Sequence, residues 1–253
     1  MASTRPYADQ VAVVTGGSAG IGRAIALRLA EEGMRVAVTG RREDKLQELE
    51  GYPEGHGRIF PYVCDMTKEQ EVVDFFKKIK EKFSAIHVLV NNAGTALYTK
   101  VADCEMDKWR NMFELNVLGV GVASREALKL MKETNVEGYI INISSISAHG
   151  VPTMVGKHVY NASKHALRLI TEGLRAELTE QKSNIRVSMI SPGSVATEIA
   201  AVGGWLSASQ DDVPAPTLKS EDIGSNVIYL LNLPSSVHIT DLVVRPTGET
   251  VLA

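Results

Sequence analysis

Cysteine is almost missing from this chain. Only Cys64 and Cys104 occur among 253 residues, too few for a disulfide framework and without metal-ligand spacing, so both read as free thiols and no metal site is expected. No run approaches the ~20 consecutive apolar residues that a membrane helix needs. The opening stretch MASTRPYADQ holds no apolar segment of the signal-peptide kind. A cytoplasmic protein with no membrane partner is the expectation. An excess of one charge is lacking too: 27 Lys+Arg face 30 Asp+Glu, with no basic block, which removes nucleic acid from the expected partners. Internal repeats, low-complexity tracts and linker-like breaks are also absent. The reading is one domain over 1–253, long enough to bury a sizeable core.

What is present is a rhythm. Short apolar runs rich in β-branched residues predict strands at Val11–Thr15, Arg35–Thr39, Ile59–Cys64, Ile86–Asn91, Tyr139–Ser144, Ile185–Ile190 and Leu242–Val244. VAVVT, IHVLV and YIINI are nearly unbroken apolar runs, as expected of strands covered by helices on both faces. Between them, longer amphipathic stretches predict helices at Ile21–Glu32, Lys68–Phe83, Met106–Glu133, Tyr160–Thr179 and Glu221–Leu231. Strand and helix in alternation imply an α/β fold, a parallel sheet wound on both sides in three layers of the Rossmann type.

Directly after the first strand stands Thr15-Gly16-Gly17-Ser18-Ala19-Gly20-Ile21-Gly22, opening the first helix. Glycines there permit a sharp turn and let a pyrophosphate approach the helix N-terminus, where unpaired N–H groups and the positive dipole end favour an anion. Strand context on one side and helix on the other make this a dinucleotide loop rather than a plain turn. The second strand then runs into Gly40-Arg41-Arg42, with no carboxylate until Glu43. An acidic residue at that turn suits the ribose hydroxyls of NAD, whereas two guanidiniums suit a 2′-phosphate. The cofactor expected is NADP.

Tyr160-Asn-Ala-Ser-Lys164 opens a predicted helix, and residues four apart share a helix face. A free phenol, with a pKa of ~10, is a poor base near neutrality, and an adjacent ammonium would lower that value. Tyr160 is therefore a candidate to exchange a proton with a carbonyl or alcohol oxygen. Asn142-Ile-Ser-Ser145 ends the fifth strand, where parallel sheets gather ligands. Asn91-Asn92-Ala93-Gly94 follows the fourth strand, and Asn116 lies in the helix after it.

TGGSAGIG, NNAG, Asn116, Ser145, YNASK and Ser191-Pro192-Gly193-Ser194-Val195-Ala196-Thr197, taken together and in order, resemble the short, roughly 250-residue branch of the short-chain dehydrogenase/reductase family. The resemblance implies a seven-stranded sheet and a catalytic tetrad of Asn116, Ser145, Tyr160 and Lys164. Tyr160 would exchange the proton, Lys164 would lower its pKa and hold the nicotinamide ribose, Ser145 would polarise the carbonyl, and Asn116 would position a relay water. It also implies Asp65 and Met66 at the adenine, Asn92, Ala93 and Gly94 along the adenosine ribose, and Pro192, Gly193, Val195 and Thr197 at the nicotinamide carboxamide. The family's commonest serine-to-tyrosine spacing, thirteen residues, would select Ser147. Strand logic and NISS select Ser145. NVLGVGVASREALKLMKETNVEG, ASKHALRLITEGLRAEL and DLVVRPTGE resemble NADP(H)-using animal members, some acting on hydroxysteroids and small ketones and others on isoprenoid alcohols such as farnesol.

Ile199 to Pro216 has no periodicity and holds Trp205 and Leu206 among small residues, which suits a lid over an apolar pocket. Ser147, His149, Val151, Met154 and Val155 are placed on the opposite wall. With no Arg or Lys cluster nearby, the expected substrate is a neutral, largely apolar ketone, aldehyde or alcohol. By analogy with the family, the chain is expected to form a homotetramer or homodimer. Two other functions fit the same scaffold: an NADP(H)-binding sensor without turnover, and an epimerase or dehydratase. The intact Tyr160/Lys164 pair argues against the first. The short tail beyond the last strand argues against the second.

Overall fold

Seven all-parallel strands form one sheet in the computed structural model, which describes residues 7–151, 154–204 and 216–249. The strands are β1 (Val11–Thr15), β2 (Arg35–Gly40), β3 (Ile59–Val63), β4 (Val88–Asn91), β5 (Tyr139–Ile143), β6 (Arg186–Pro192) and β7 (Asp241–Val244). Their order is β3-β2-β1-β4-β5-β6-β7. Winding reverses direction between β1 and β4, and the crevice at such a reversal is where doubly wound sheets take their ligands.

Along β1, Ala12 and Val14 face one layer while Val11 and Val13 face the other, and all four are fully buried. That two-sided burial is why the strand reads as an unbroken apolar run. The first layer is α1 (Gly20–Glu31), α2 (Glu43–Glu50) and α8 (Ser220–Leu231), contributing Ile25, Leu29, Leu46, Leu49, Ile223 and Val227. The second is α3 (Glu69–Phe83), α5 (Gly119–Glu133) and α6 (His158–Glu180), contributing Val72, Phe75, Ile79, Ala127, Met131 and Leu178. Leu29 is 0% exposed. Leu29→Ala is expected to cost about 2–5 kcal/mol, read as a lower urea midpoint at unchanged slope.

Element ends agree with the sequence expectation to within two residues, but three features differ. The helix expected over Met106–Glu133 is split into α4 (Met106–Phe113), a π-helical turn (Glu114–Leu118) and α5. Asn116 lies in that turn and forms hydrogen bonds outside its own helix, and single π-turns commonly mark such sites. The helix α2 was not foreseen, because Leu46 and Leu49 are its only buried residues and eight residues carry too little periodic signal. A short helix, α7 (Ile199–Val202), opens the segment expected to be irregular. Among the described residues no helix is long and apolar enough to cross a membrane.

Candidate active site

β1 delivers Thr15 to the top of the sheet beside β4, and the two following loops are stitched together there. The Thr15 hydroxyl accepts the backbone N–H groups of Asn92 and Ala93, both at 3.0 Å. The Asn92 amide donates to the carbonyls of Thr15 (2.9 Å) and Gly16 (3.1 Å). The crossing is tight enough to require glycine. Gly16 sits at φ +69°, where an added Cβ would lie 2.8 Å from Ala93 Cα; on Gly22 it would lie 2.3 Å from the Gly16 carbonyl oxygen. The helix α1 starts with no side-chain cap and no acidic residue in its first turn, so its free N–H groups face the crevice unneutralised.

The crevice is a cavity of about 480 Å³ running from the ends of β2 and β3 to the start of α6. Gly16, Ser18, Ala19, Gly20, Ile21, Arg41, Arg42, Asp65, Met66, Asn92, Ala93, Gly94, Pro192, Gly193, Val195 and Thr197 line it, and so do Ser145, Tyr160 and Lys164. At its β2 end, Arg42 donates to the Ser18 hydroxyl (3.2 and 3.3 Å) and forms an ion pair with Glu198 at 2.9 Å. Asp65 is turned to its own loop, its carboxylate accepting the backbone N–H and hydroxyl of Thr67. The buried Ser144 hydroxyl, on the same wall, has no partner among the described residues.

At the other end Tyr160 and Lys164 project from α6 toward the carboxyl end of β5. Lys164 is buried and donates from Nζ to the Ile143 carbonyl at 3.1 Å, with Nζ 5.9 Å from the centre of the Tyr160 ring. Burial pulls its pKa down to about 8. The Tyr160 phenol is raised by burial, and a hydrogen bond with the Ser145 side chain offsets part of that. The lowering of Tyr160 by the lysine expected from the sequence is thus corrected: in the chain alone desolvation wins.

These directions have a measurable consequence. Between about 8 and the ordinary 10.5, the unfolded chain keeps a proton on Lys164 that the folded chain has released, so stability rises with pH across that window. Tyr160, raised in the fold, acts oppositely only above 10, its ordinary value. Denaturant titrations are expected to show wild type gaining stability relative to Lys164→Met as pH rises from about 8 to 10.

Residues 10–203 match the family model described as short chain dehydrogenase. The chain belongs to the short-chain dehydrogenase family. It is 39% identical over 256 residues to dehydrogenase/reductase SDR family member 11 of Gallus gallus, covering 96% of this chain and 98% of the relative. It is 38% identical over 246 residues to the farnesol dehydrogenase of Aedes aegypti, again covering 96% and 98%. The closed form of a serine dehydrogenase complexed with NADP⁺ superposes with a TM-score of 0.85 at 30% identity, over 96% of this chain and 98% of that one.

In this short-chain dehydrogenase some expected residues lie elsewhere than the sequence suggested. Gly22 does not line the cavity but sits beneath the loop. Asn116 is fully buried behind it: its side-chain oxygen accepts the Thr95 N–H, and its amide donates to the Thr95 carbonyl and the Ser163 hydroxyl. That carboxamide ties Thr95, in the loop after β4, to α6, the helix that carries Tyr160 and Lys164. Asn91 and Asn142 are a buried register pair of β4 and β5, tied on to Ser124 and Thr171, and so belong to the core.

Of the residues expected at the substrate wall, His149 is not among those lining the cavity, and its Nε2 lies 2.9 Å from the Ser191 hydroxyl and 3.5 Å from Asp241. Ser147 is buried and gives its backbone N–H to Ser145 Oγ, which makes it the support of the serine that reaches Tyr160. Val151, Met154 and Val155 are exposed and outside the lining. Trp205 and Leu206 fall outside the described residues. Cavity residues not foreseen include Cys64, Thr95, Leu115 and Glu198, while Ile199 and Val202, from the start of the expected lid, do line it. Cys64 and Glu198 directly adjoin Asp65 and Thr197, a signal that adjacency could have supplied. Burial pushes the Cys64 thiol up to about 11, so it stays protonated and unreactive.

Proposed function

We propose that this protein is an NADP(H)-dependent oxidoreductase that interconverts a neutral, largely apolar carbonyl compound and its alcohol. The observation that carries the reading is one continuous cavity with two differently equipped ends: the uncapped α1 N-terminus and two arginines at one, and Ser145, Tyr160 and Lys164 at the other. The residues fit a phosphorylated dinucleotide. The glycine cradle leaves no room for a Cβ, and an uncapped helix end faces the crevice where an anion would lie. Arg41 and Arg42 would hold the 2′-phosphate, the Gly16–Gly22 loop the pyrophosphate, Asp65 and Met66 the adenine, and Pro192–Thr197 the nicotinamide. Complex formation of a similar fold with NADP⁺ supports the choice of cofactor.

When bound, the dinucleotide supplies or accepts the hydride. Ser145, hydrogen-bonded to Tyr160, places a second donor at the substrate oxygen. Tyr160 gives its phenolic proton to that oxygen in reduction and takes it back in oxidation. Lys164, whose ammonium faces the Tyr160 ring and the Ile143 carbonyl, stabilises the phenolate as it forms. Ile199, Val202, Val195 and Leu115 give the cavity an apolar lining with no lysine or arginine beside Ser145 apart from Lys164 among the described residues, which favours a ketone, ketosteroid or isoprenoid alcohol over an acid or sugar phosphate.

The test is nicotinamide absorbance with purified protein, NADPH or NADH against diketones, ketosteroids and aldehydes, and NADP⁺ or NAD⁺ against farnesol and other terpenoid alcohols. Turnover preferring the phosphorylated cofactor and apolar substrates supports the reading; strict preference for charged acids removes it. A cytoplasmic homo-oligomer is part of the same proposal. Leu118 and Leu169, 62% and 75% exposed on the second helical layer, offer an apolar face for self-association, to be measured by light scattering.

A further inference from the structure

Beyond β7 the chain turns back through Arg245–Glu249, with Gly248 at φ +84°, and brings Glu249 onto the exit of β6. Its side chain is only 15% exposed. One carboxylate oxygen accepts the backbone N–H of Ser194 at 2.9 Å, and the other accepts Nε–H of Arg245 at 2.7 Å. The approach to the neighbouring residue is so close that a Cβ on Gly193 would lie 2.6 and 2.9 Å from the two oxygens. Part-buried Lys157, three residues before Tyr160, adds a positive field that acts on the same carboxylate.

We infer that Glu249 is a positioning residue for the nicotinamide half of the cofactor, clamping the Gly193–Ser194 turn from outside the cavity. The inference rests on the NADP(H) reading above. Pro192–Thr197 leaves β6 as a loop held at few points. Gly193 N–H donates to the Val244 carbonyl at 2.7 Å, and Ser194 and Ala196 exchange backbone hydrogen bonds with Leu218 at 2.8 and 2.9 Å. Between those two anchored donors, Gly193 and Ala196, the Ser194 N–H is held by the side chain of Glu249. A part-buried carboxylate satisfied by a backbone donor and a guanidinium is in a favourable setting. Its removal would leave Ser194 unpaired and the turn free to drift. Gly193 is small for the same reason: the clamp occupies the space a side chain would need.

The experiment compares two ligands on Glu249→Ala, Glu249→Gln and Gly193→Ala. One is NADPH; the other is adenosine 2′,5′-bisphosphate, which carries the phosphates at the arginine end and has no nicotinamide. Glu249→Ala is expected to weaken NADPH binding by about 5–100-fold and adenosine 2′,5′-bisphosphate by less than about threefold. Glu249→Gln, which keeps an acceptor for Ser194, is expected to recover most of the loss. Gly193→Ala, whose backbone φ is not in the left-handed region, is expected to reproduce the pattern and keeps the test open should Glu249→Ala fold poorly. NADPH affinity unchanged in both Glu249→Ala and Gly193→Ala, or equal weakening of both ligands, overturns the inference while leaving the cofactor reading intact. A wild-type protein that binds neither ligand overturns both.

Discussion

Tyr160→Phe is expected to lower kcat by about 10²–10⁴-fold with every substrate the wild type turns over, while the dissociation constant for cofactor moves by no more than a few fold. The substitution deletes one oxygen from a ring that is 8% exposed and packed with Ala96, Met112 and Val159, so the apolar contacts that set its position persist. Ser145 keeps the N–H of Ser147 and is not left without a partner. What is lost is the only phenol lining the cavity beside Ser145 among the described residues. The direction of the pKa adds a signature. Burial favours the protonated phenol, so the donor is present throughout the neutral range and reduction falls as pH climbs toward the phenol's raised pKa. Oxidation, which needs the deprotonated form, rises with pH. Steady-state rates in both directions across pH check this, and turnover in Tyr160→Phe within tenfold of wild type would remove Tyr160 from the reaction.

How much of this was written in the chain can be seen at particular residues. Strands were legible because two-sided burial leaves a signal in every residue: Val11 to Val14 are apolar whichever face they meet. The glycine loop was legible because its crossing with Ala93 and Asn92 tolerates no Cβ. Helix α2 was not, since two leucines in eight residues make no period. Neither was the π-turn at Asn116. Its cause is a long-range set of bonds to Thr95 and Ser163 that no local window contains. The partners of His149 were not legible either, because nearness in sequence to Ser145 says nothing about which way its side chain turns. Ser191 and Asp241, 42 and 92 residues further along, decide it. Glu249 was invisible for the same reason, 55 residues from the Ser194 N–H it holds.

Arg41→Ala/Arg42→Ala is expected to cost NADPH about 10²–10³-fold in affinity and NADH less than about fivefold, reversing or erasing the preference between them. Each hydrogen bond from a guanidinium to a charged phosphate is worth roughly 1.5–3 kcal/mol, and the 2′-phosphate is the only group by which the two cofactors differ. The ion pair Arg42 already makes does not protect it from this role. With side chains 46% and 62% exposed, the Arg42–Glu198 pair belongs to the weak class of surface bridges. A dianionic phosphate offers Arg42 more than one carboxylate does, and Arg41 makes no ion pair among the described residues that would compete. Glu198 therefore acts as a placeholder whose charge opposes the phosphate, which leaves the double variant with a residual carboxylate at the site. NADPH affinity should fall further below that of NADH at low ionic strength, where the repulsion is unscreened, and recover partly with added salt. Fluorescence titrations of both cofactors at two salt concentrations measure the effect. Equal losses for NADPH and NADH would show that the arginines serve the loop's structure and that the 2′-phosphate is recognised elsewhere.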